Sequence, residues 1–296
     1  MPPKPGPPPR QVPRQRILRR RLAALLGVLV AGLVVFGLVE LAGHKSAPAP
    51  PTVTAVAPPK PFRVIFPEGF TRLDMAARVQ AVAKIAERKR HKHVRLSRRG
   101  YLAVSGPRVV AGFGTKKRNL EGFLFPATYD FLRGTPSAQL VQDQLEAFRK
   151  NWKQVDLSYA RKKNLTPYDV LIIASMVERE TLAPDERPVV AAVIYNRLHA
   201  GMTLGIDATI RYGLHVPGTQ ALRQSQLDSD NPYNTRKLPG LPPTPIGNPG
   251  LASMQAAAHP AKVDYLYFVR KPDRVHHYFT KSFQDFVNHE IAYGYK

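Results

Sequence analysis

The clearest pattern along the chain is an apolar run, Leu171–Val177, that ends in two carboxylates, Glu178 and Glu180. At about 100° per residue its apolar positions cover nearly the whole helix circumference, which predicts a buried helix. Thr166 and Pro167 supply an N-cap and a first-turn proline, and Asp169 favours the helix dipole. A second helix is expected after Thr135 and Pro136, with Leu140, Val141, Leu145, Phe148 and Trp152 on one face. A third begins near Asp185, runs to about Leu198 and stops at Gly201. Upstream, residues 61–87 read as a short strand, a Pro-Glu-Gly turn and a helix capped by Thr71 and Asp74. Beyond Gly201 the pattern changes to turns and short strands. Asp230–Gly250 is a loop with six prolines, a length and composition expected to be functional or disordered. Asp264–Arg270 and His276–Thr280 alternate as two strands of a hairpin across Lys271, Pro272 and Asp273. Helices followed by strands predict an α+β domain.

One apolar stretch stands apart. Leu22–Val39 is an uncharged run of 18 residues, which as a helix spans about 27 Å, close to the thickness of a bilayer's hydrocarbon core. Lys4, Arg10, Arg14, Arg16, Arg19, Arg20 and Arg21 precede it, and only Lys45 and Lys60 follow nearby. This asymmetry predicts a cytoplasmic N-terminus and an external bulk. A cleaved signal peptide fits less well. Its apolar core is usually shorter, and the best cleavage pattern, Ala47–Ala49, runs straight into Pro50. Residues 1–12 are a proline-rich basic tail, and 44–61 form an extended Ala/Pro linker.

Charge and composition then narrow the partners. The chain carries a net charge of +23 and no cysteine, so disulfides, thiolate metal sites and a cysteine nucleophile are excluded. A basic run, Arg88, Lys89, Arg90, Lys92, Arg95, Arg98 and Arg99, lies near the domain's start. Outside the cytoplasm its expected partners are anionic lipid headgroups or wall polymers, not nucleic acid.

Candidate chemistry is carried by carboxylates. His276, His277 and His289 could suggest a metal, but adjacent strand residues face opposite ways and no HExxH is present, so no metal is expected. No GxSxG elbow, P-loop or GxGxxG occurs. A glutamate on a buried helix is costly as an anion and tends to keep its proton, as a general acid requires. Glycosidic bond cleavage fits such an acid. Most such enzymes use two carboxylates, but Glu178 and Glu180 lie about 200° apart on one helix and diverge. A single-glutamate mechanism, with the nucleophile supplied by the substrate, is the natural candidate.

Five stretches carry a family resemblance: "LEGFLFPATYDF", "IIASMVERET", "VAAVIYNRLHAGMTLGIDATIRYG", "NPYNTRKLPGLPPTPIGNPG" and "AAAHPAKVDYLYFV" followed by "HHYFT". In this order they resemble the endolytic murein transglycosylase, or YceG-like, family. The resemblance implies non-hydrolytic cleavage of the β-1,4 bond between N-acetylmuramic acid and N-acetylglucosamine in peptidoglycan. The product would be a 1,6-anhydro end, the role a limit on glycan strand length, and no cofactor would be needed. The family's catalytic glutamate falls on Glu180, with Glu178 the runner-up. Asn196, Asp207, Thr209, Tyr233, Asn234 and Thr235 fall in matching motifs as substrate-cleft or loop-anchoring residues. Gly205 and Ala208 stand where the family more usually has glutamine and proline, Arg236 where it has tyrosine, and Thr244 where it has glycine.

The organisation this implies is a cytoplasmic tail (1–21), an anchor (22–40), a linker (41–61), a small LysM-like or connecting subdomain (62–118) and a catalytic domain (119–296). The expected location is the plasma membrane, single-pass, and the expected partners include peptidoglycan strands and peptidoglycan synthases. The alternative is a non-catalytic wall-binding or divisome scaffold on the same fold.

Overall fold

The structure is a computed structural model that describes residues 26–39 and 60–295. The chain divides into two units, Met1–Pro58 and Pro59–Lys296. In the first unit, residues 26–39 form a helix, α1, whose apolar side chains are exposed. The expected tail (1–21), residues 22–25 and 40 of the expected anchor, and residues 41–59 of the expected linker lie outside the described residues. No helix among the described residues is long and apolar enough to cross a membrane.

The second unit opens with strand β1 (Phe62–Ile65), helices α2 (Arg72–Arg90) and α3 (Arg98–Val104), and strand β2 (Thr128–Phe131). β1 and β2 pair antiparallel, Phe62 opposite Phe131 and Ile65 opposite Thr128. The pairing spans the boundary expected at 118/119. Thr71 caps α2: its side chain accepts from the Asp74 N–H, and the Asp74 carboxylate accepts the Thr71 N–H. Met75, Ala76, Val79, Ala83 and Ala86 recur at helical spacing and form the buried face of α2.

Helices α4 (Ser137–Trp152), α5 (Ser158–Lys162) and α6 (Pro167–Glu180) follow. In α6 every residue from Val170 to Val177 is buried. Each large apolar side chain so placed stabilises the fold by about 2 kcal/mol relative to exposure. The reciprocal cap of Thr166 and Asp169 satisfies two N–H groups at its start. After a 3-10 turn at Pro184–Glu186 come α7 (Arg187–His199), α8 (Asp207–Gly213), α9 (Gln224–Leu227) and α10 (Leu251–Ala258). Helices α7, α8 and α10 pack on α6. Strands β3 (Tyr267–Arg270) and β4 (His277–Thr280) pair antiparallel, and α11 (Phe283–Ala292) packs against both.

The hairpin, the caps of α2 and α6 and the apolar face of α4 follow the sequence pattern. The region after Gly201 differs, because it holds α8, α9 and α10 where turns and short strands were expected. The first two are only seven and four residues long, too short to register a helical period. The third, LASMQAAA, is buried through small side chains, so no amphipathic stripe marks it.

The loop from Thr244 to Gly250 is locked from several directions. Asn248 Oδ1 accepts the Leu124 N–H (2.9 Å), and its Nδ2 donates to the Phe70 carbonyl (2.8 Å) and Glu121 Oε1 (3.0 Å). Glu121 also accepts the Arg72 N–H (2.9 Å) and the Tyr212 hydroxyl (3.1 Å). Burial pushes the Glu121 carboxyl up to about 7 despite these donors. Gly122, at φ +86°, lies where a Cβ would come within 2.7 Å of Pro245, so only glycine admits this approach.

Asn248→Ala removes three side-chain hydrogen bonds to two segments and leaves the buried Leu124 N–H without its partner. The expected loss is about 3 kcal/mol, read by urea unfolding of the full chain. A loss below about 0.5 kcal/mol would show that the loop is held elsewhere.

Candidate active site

The end of α6 is where a buried helix must place two carboxylates, and the structure sends them to different neighbours. Glu178 is only 6% exposed at its side chain. Its Oε2 accepts the Gly250 N–H at the start of α10 (2.9 Å), and its Oε1 lies 3.8 Å from an Arg187 guanidinium nitrogen at the start of α7. Glu68 lies on the same arginine at 4.0 Å. Burial and the nearby Glu178 charge both raise the Glu68 pKa. A Cβ at Gly250 would meet the Glu68 carboxylate at 1.7 Å, so the glycine makes room for this cluster. Glu178 thus ties the ends of three helices together.

Glu180 has no comparable clamp. It is half-buried, and desolvation raises its pKa first of all. The Arg270 guanidinium opposes that rise, the Asp207 carboxylate adds to it, and the Ala208 N–H and Arg179 oppose it more weakly. Arg270 also donates to the Glu180 backbone carbonyl (3.0 Å), so β3 is fastened to the helix end. Thr181 follows, 3% exposed, with a hydroxyl that has no hydrogen-bond partner among the described residues.

The other sequence-predicted residues fall into two groups. Asp207 belongs to the surroundings of Glu180 and is ion-paired with Arg236 at 2.6 Å. Tyr233 is half-buried, its ring 5.1 Å from that of Tyr212 and its hydroxyl 2.8 Å from that of Thr244. The remaining four side chains are taken up by the protein. Asn196 donates to the carbonyls of Val263 and Tyr265. It also lines a cavity of about 460 Å³ whose lining does not include Glu180. Thr209 and Thr235 are buried, their hydroxyls 2.9 Å apart, and Asn234 donates to the carbonyls of Leu227 and Ser229.

Two features of the site have no local signal in the sequence. Arg270 lies ninety residues from the carbonyl it binds. His277 and Glu186 form a buried pair, Nδ1 to Oε2 at 2.7 Å, with the His277 N–H also on Glu186. Burial lowers the His277 pKa, and the pair pins β4 to the turn that follows Thr181. His276 faces the other way, onto Asp273 at 2.9 Å. Among the described residues no group of three or more metal-ligating side chains comes together.

Chemically, then, the site offers one carboxyl that tends to keep its proton, a cation beside it and a second carboxylate nearby. This is an α+β domain with two carboxyls in different surroundings at the end of its central helix. The chain belongs to the YceG-like family, whose model matches residues 44–290. It is 39% identical over 158 residues to an endolytic murein transglycosylase of Bacillus subtilis, covering 52% of this chain and 43% of that protein. It is 34% identical over 170 residues to an endolytic murein transglycosylase of Streptococcus pneumoniae, covering 56% of this chain and 31% of that protein. The aligned part thus spans less than half the length of these curated relatives. A crystal structure of a YceG-like protein from Listeria monocytogenes superposes with a TM-score of 0.64 at 29% identity, over 78% of this chain and 76% of that one.

Because Arg270 opposes the raised pKa of Glu180, Arg270→Ala is expected to move the Glu180 midpoint to higher pH, and Arg270→Lys to move it less. Carboxyl-carbon NMR titration of glutamate-labelled protein reads this directly. An unchanged midpoint in Arg270→Ala would mean that the guanidinium acts on the backbone carbonyl alone.

Proposed function

We propose that the protein is a membrane-anchored endolytic lytic transglycosylase acting on peptidoglycan. The observation that carries this reading is the Glu180 carboxyl at the end of a buried helix, its pKa raised by burial, in a chain whose relatives are named endolytic murein transglycosylases. The arginine asymmetry around Leu22–Val39 supports a single-pass anchor with the domain outside the cytoplasm. On that reading the enzyme limits glycan strand length. Its partners are glycan strands, peptidoglycan synthases and anionic membrane or wall polymers.

In the proposed reaction Glu180 gives its proton to the glycosidic oxygen as the bond from that oxygen to the muramyl C1 breaks. The 6-hydroxyl of the same muramyl ring then bonds to C1, and its proton passes to the Glu180 carboxylate. The ring closes, no water is consumed, and the carboxyl is restored. The hydroxyl competes with water because it is held beside the reacting carbon. Burial raises the Glu180 pKa and so favours the acid of the first step, and the Arg270 charge opposes that rise and so favours the anion of the second. Asp207 and Tyr233 are the proposed cleft residues, and Asn196, Thr209, Asn234 and Thr235 are proposed to shape the loops around them. Glu178, held by Arg187 and Gly250, is proposed to fix the helix end.

Glu180→Gln keeps the shape and removes the transferable proton, so cleavage of purified peptidoglycan is expected to fall at least about a hundredfold with folding intact. Glu178→Gln is expected to lower activity less and stability more, by about 1–3 kcal/mol. Mass analysis of the digest should show ends one water lighter than reducing muramic acid. Full activity in Glu180→Gln would mean another group is the acid.

A further inference from the structure

A cavity of about 700 Å³ opens where the second unit begins, remote in sequence from Glu180. Phe62, Val94 and Leu132 give it an apolar lining, and Arg90, Lys92 and Arg133 give it three cations. The elements explain the convergence. α2 ends in Arg90, and the backbone turns through left-handed His91 at φ 50°. That turn carries Lys92 and Val94 back beside β1, while Leu132 and Arg133 leave the end of β2. The Arg95 N–H donates to the Arg133 carbonyl (2.9 Å) and closes the two segments together.

The cations differ in availability. The Arg90 guanidinium lies 3.8 Å from the centre of the Phe62 ring and donates to the Lys60 carbonyl. It is pinned to the wall. Lys92 and Arg133 are exposed and have no carboxylate partner among the described residues. Glu87, the acid closest in sequence to Lys92, is already held by His93 at 2.9 Å and by the Val94 N–H, and Asp130, the closest to Arg133, is held by Arg63 at 2.9 Å. Leu132 stays 43% exposed beside these charges. A free anion would have no use for the apolar lining, and an uncharged apolar ligand would leave two cations uncompensated. Both features together suit a molecule with a phosphate at one end and hydrocarbon at the other.

We propose that this cavity binds the headgroup and upper acyl chain of an anionic phospholipid. Charge complementarity and the exposed leucine select the ligand. The cavity's place in the sequence agrees: Phe62 and Arg90 of its wall, the latter bonded to the Lys60 carbonyl, belong to the start of the second unit, the part nearest in sequence to the apolar run Leu22–Val39. The phosphate meets Lys92 and Arg133, and the first methylenes lie against Leu132 and Phe62. The inference rests on the proposed membrane location and is independent of the proposed catalysis.

The test is native mass spectrometry of the full chain in nonionic detergent, with phosphatidylglycerol, phosphatidylcholine or inorganic phosphate added. The wild type should retain phosphatidylglycerol at least about tenfold over phosphatidylcholine, and inorganic phosphate should not displace it at equal concentration. The double variant K92E/R133E should lose that retention. R98E/R99E carries the same charge change on exposed arginines outside the cavity and should keep it. Circular dichroism confirms that both variants fold. Equal retention of the two lipids, displacement by inorganic phosphate, or equal loss in both variants would overturn the site. A reporter fused after Lys296 and active only in the cytoplasm would overturn the external location alone, since the site stands or falls on lipid retention.

Discussion

Helix α6 is apolar on every side, and an all-apolar helix can persist in water only if other elements wrap it completely. Helices α7, α8 and α10 and the 244–250 loop supply that wrapping, and the loop's Ile246 N–H even bonds to Ser175 Oγ on the buried helix (3.0 Å). The constraint sharpens where the helix ends, because two glutamates emerge within its last turn. One carboxylate is given a cation and a backbone N–H and becomes part of the frame. For the other, desolvation outweighs the Arg270 charge and the Ala208 N–H that oppose it. Wrapping the helix and raising the Glu180 pKa are therefore the same physical event.

This division of roles depends on long-range contacts. Glu178 reaches Gly250, Asn248 reaches Phe70, and His277 reaches Glu186 across separations of 72, 178 and 91 residues. Each joins a segment near the end of α6 or the proline-rich loop to a distant one. The proline-rich loop is accordingly held by the side chains of Asn231, Asn234 and Asn248, with one isolated bridge from Pro239 to Thr203. Its prolines limit the conformations open to the unfolded chain, which lowers the entropy lost when Asn248 locks it.

What was legible in the sequence was local. The Thr-Pro-x-Asp start of α6, the Thr71–Asp74 cap and the alternation around Tyr267 and Phe279 each lie within one or two turns of chain, and each appears in the structure. The divergence of Glu178 and Glu180 followed from helical geometry alone, and their partners differ accordingly. Arg270 was not legible, because an arginine at a strand end looks like any solvated charge until the hairpin folds onto α6. The buried hydroxyls of Thr209 and Thr235 were legible as polar positions in a motif, but not as a pair bonded to each other. The cations of the 88–99 run read as a diffuse patch. Only the turn at His91 and the end of β2 gather two of them, with Arg133, around an apolar wall.

In the proposed reaction one carboxyl cleaves the glycan while the substrate's own hydroxyl takes the place of water. Digestion of purified peptidoglycan by the full chain in water enriched in heavy oxygen tests that most directly. Mass analysis is expected to find no heavy oxygen at the newly formed muramyl ends. Heavy oxygen at those ends would contradict it and make the reaction a hydrolysis.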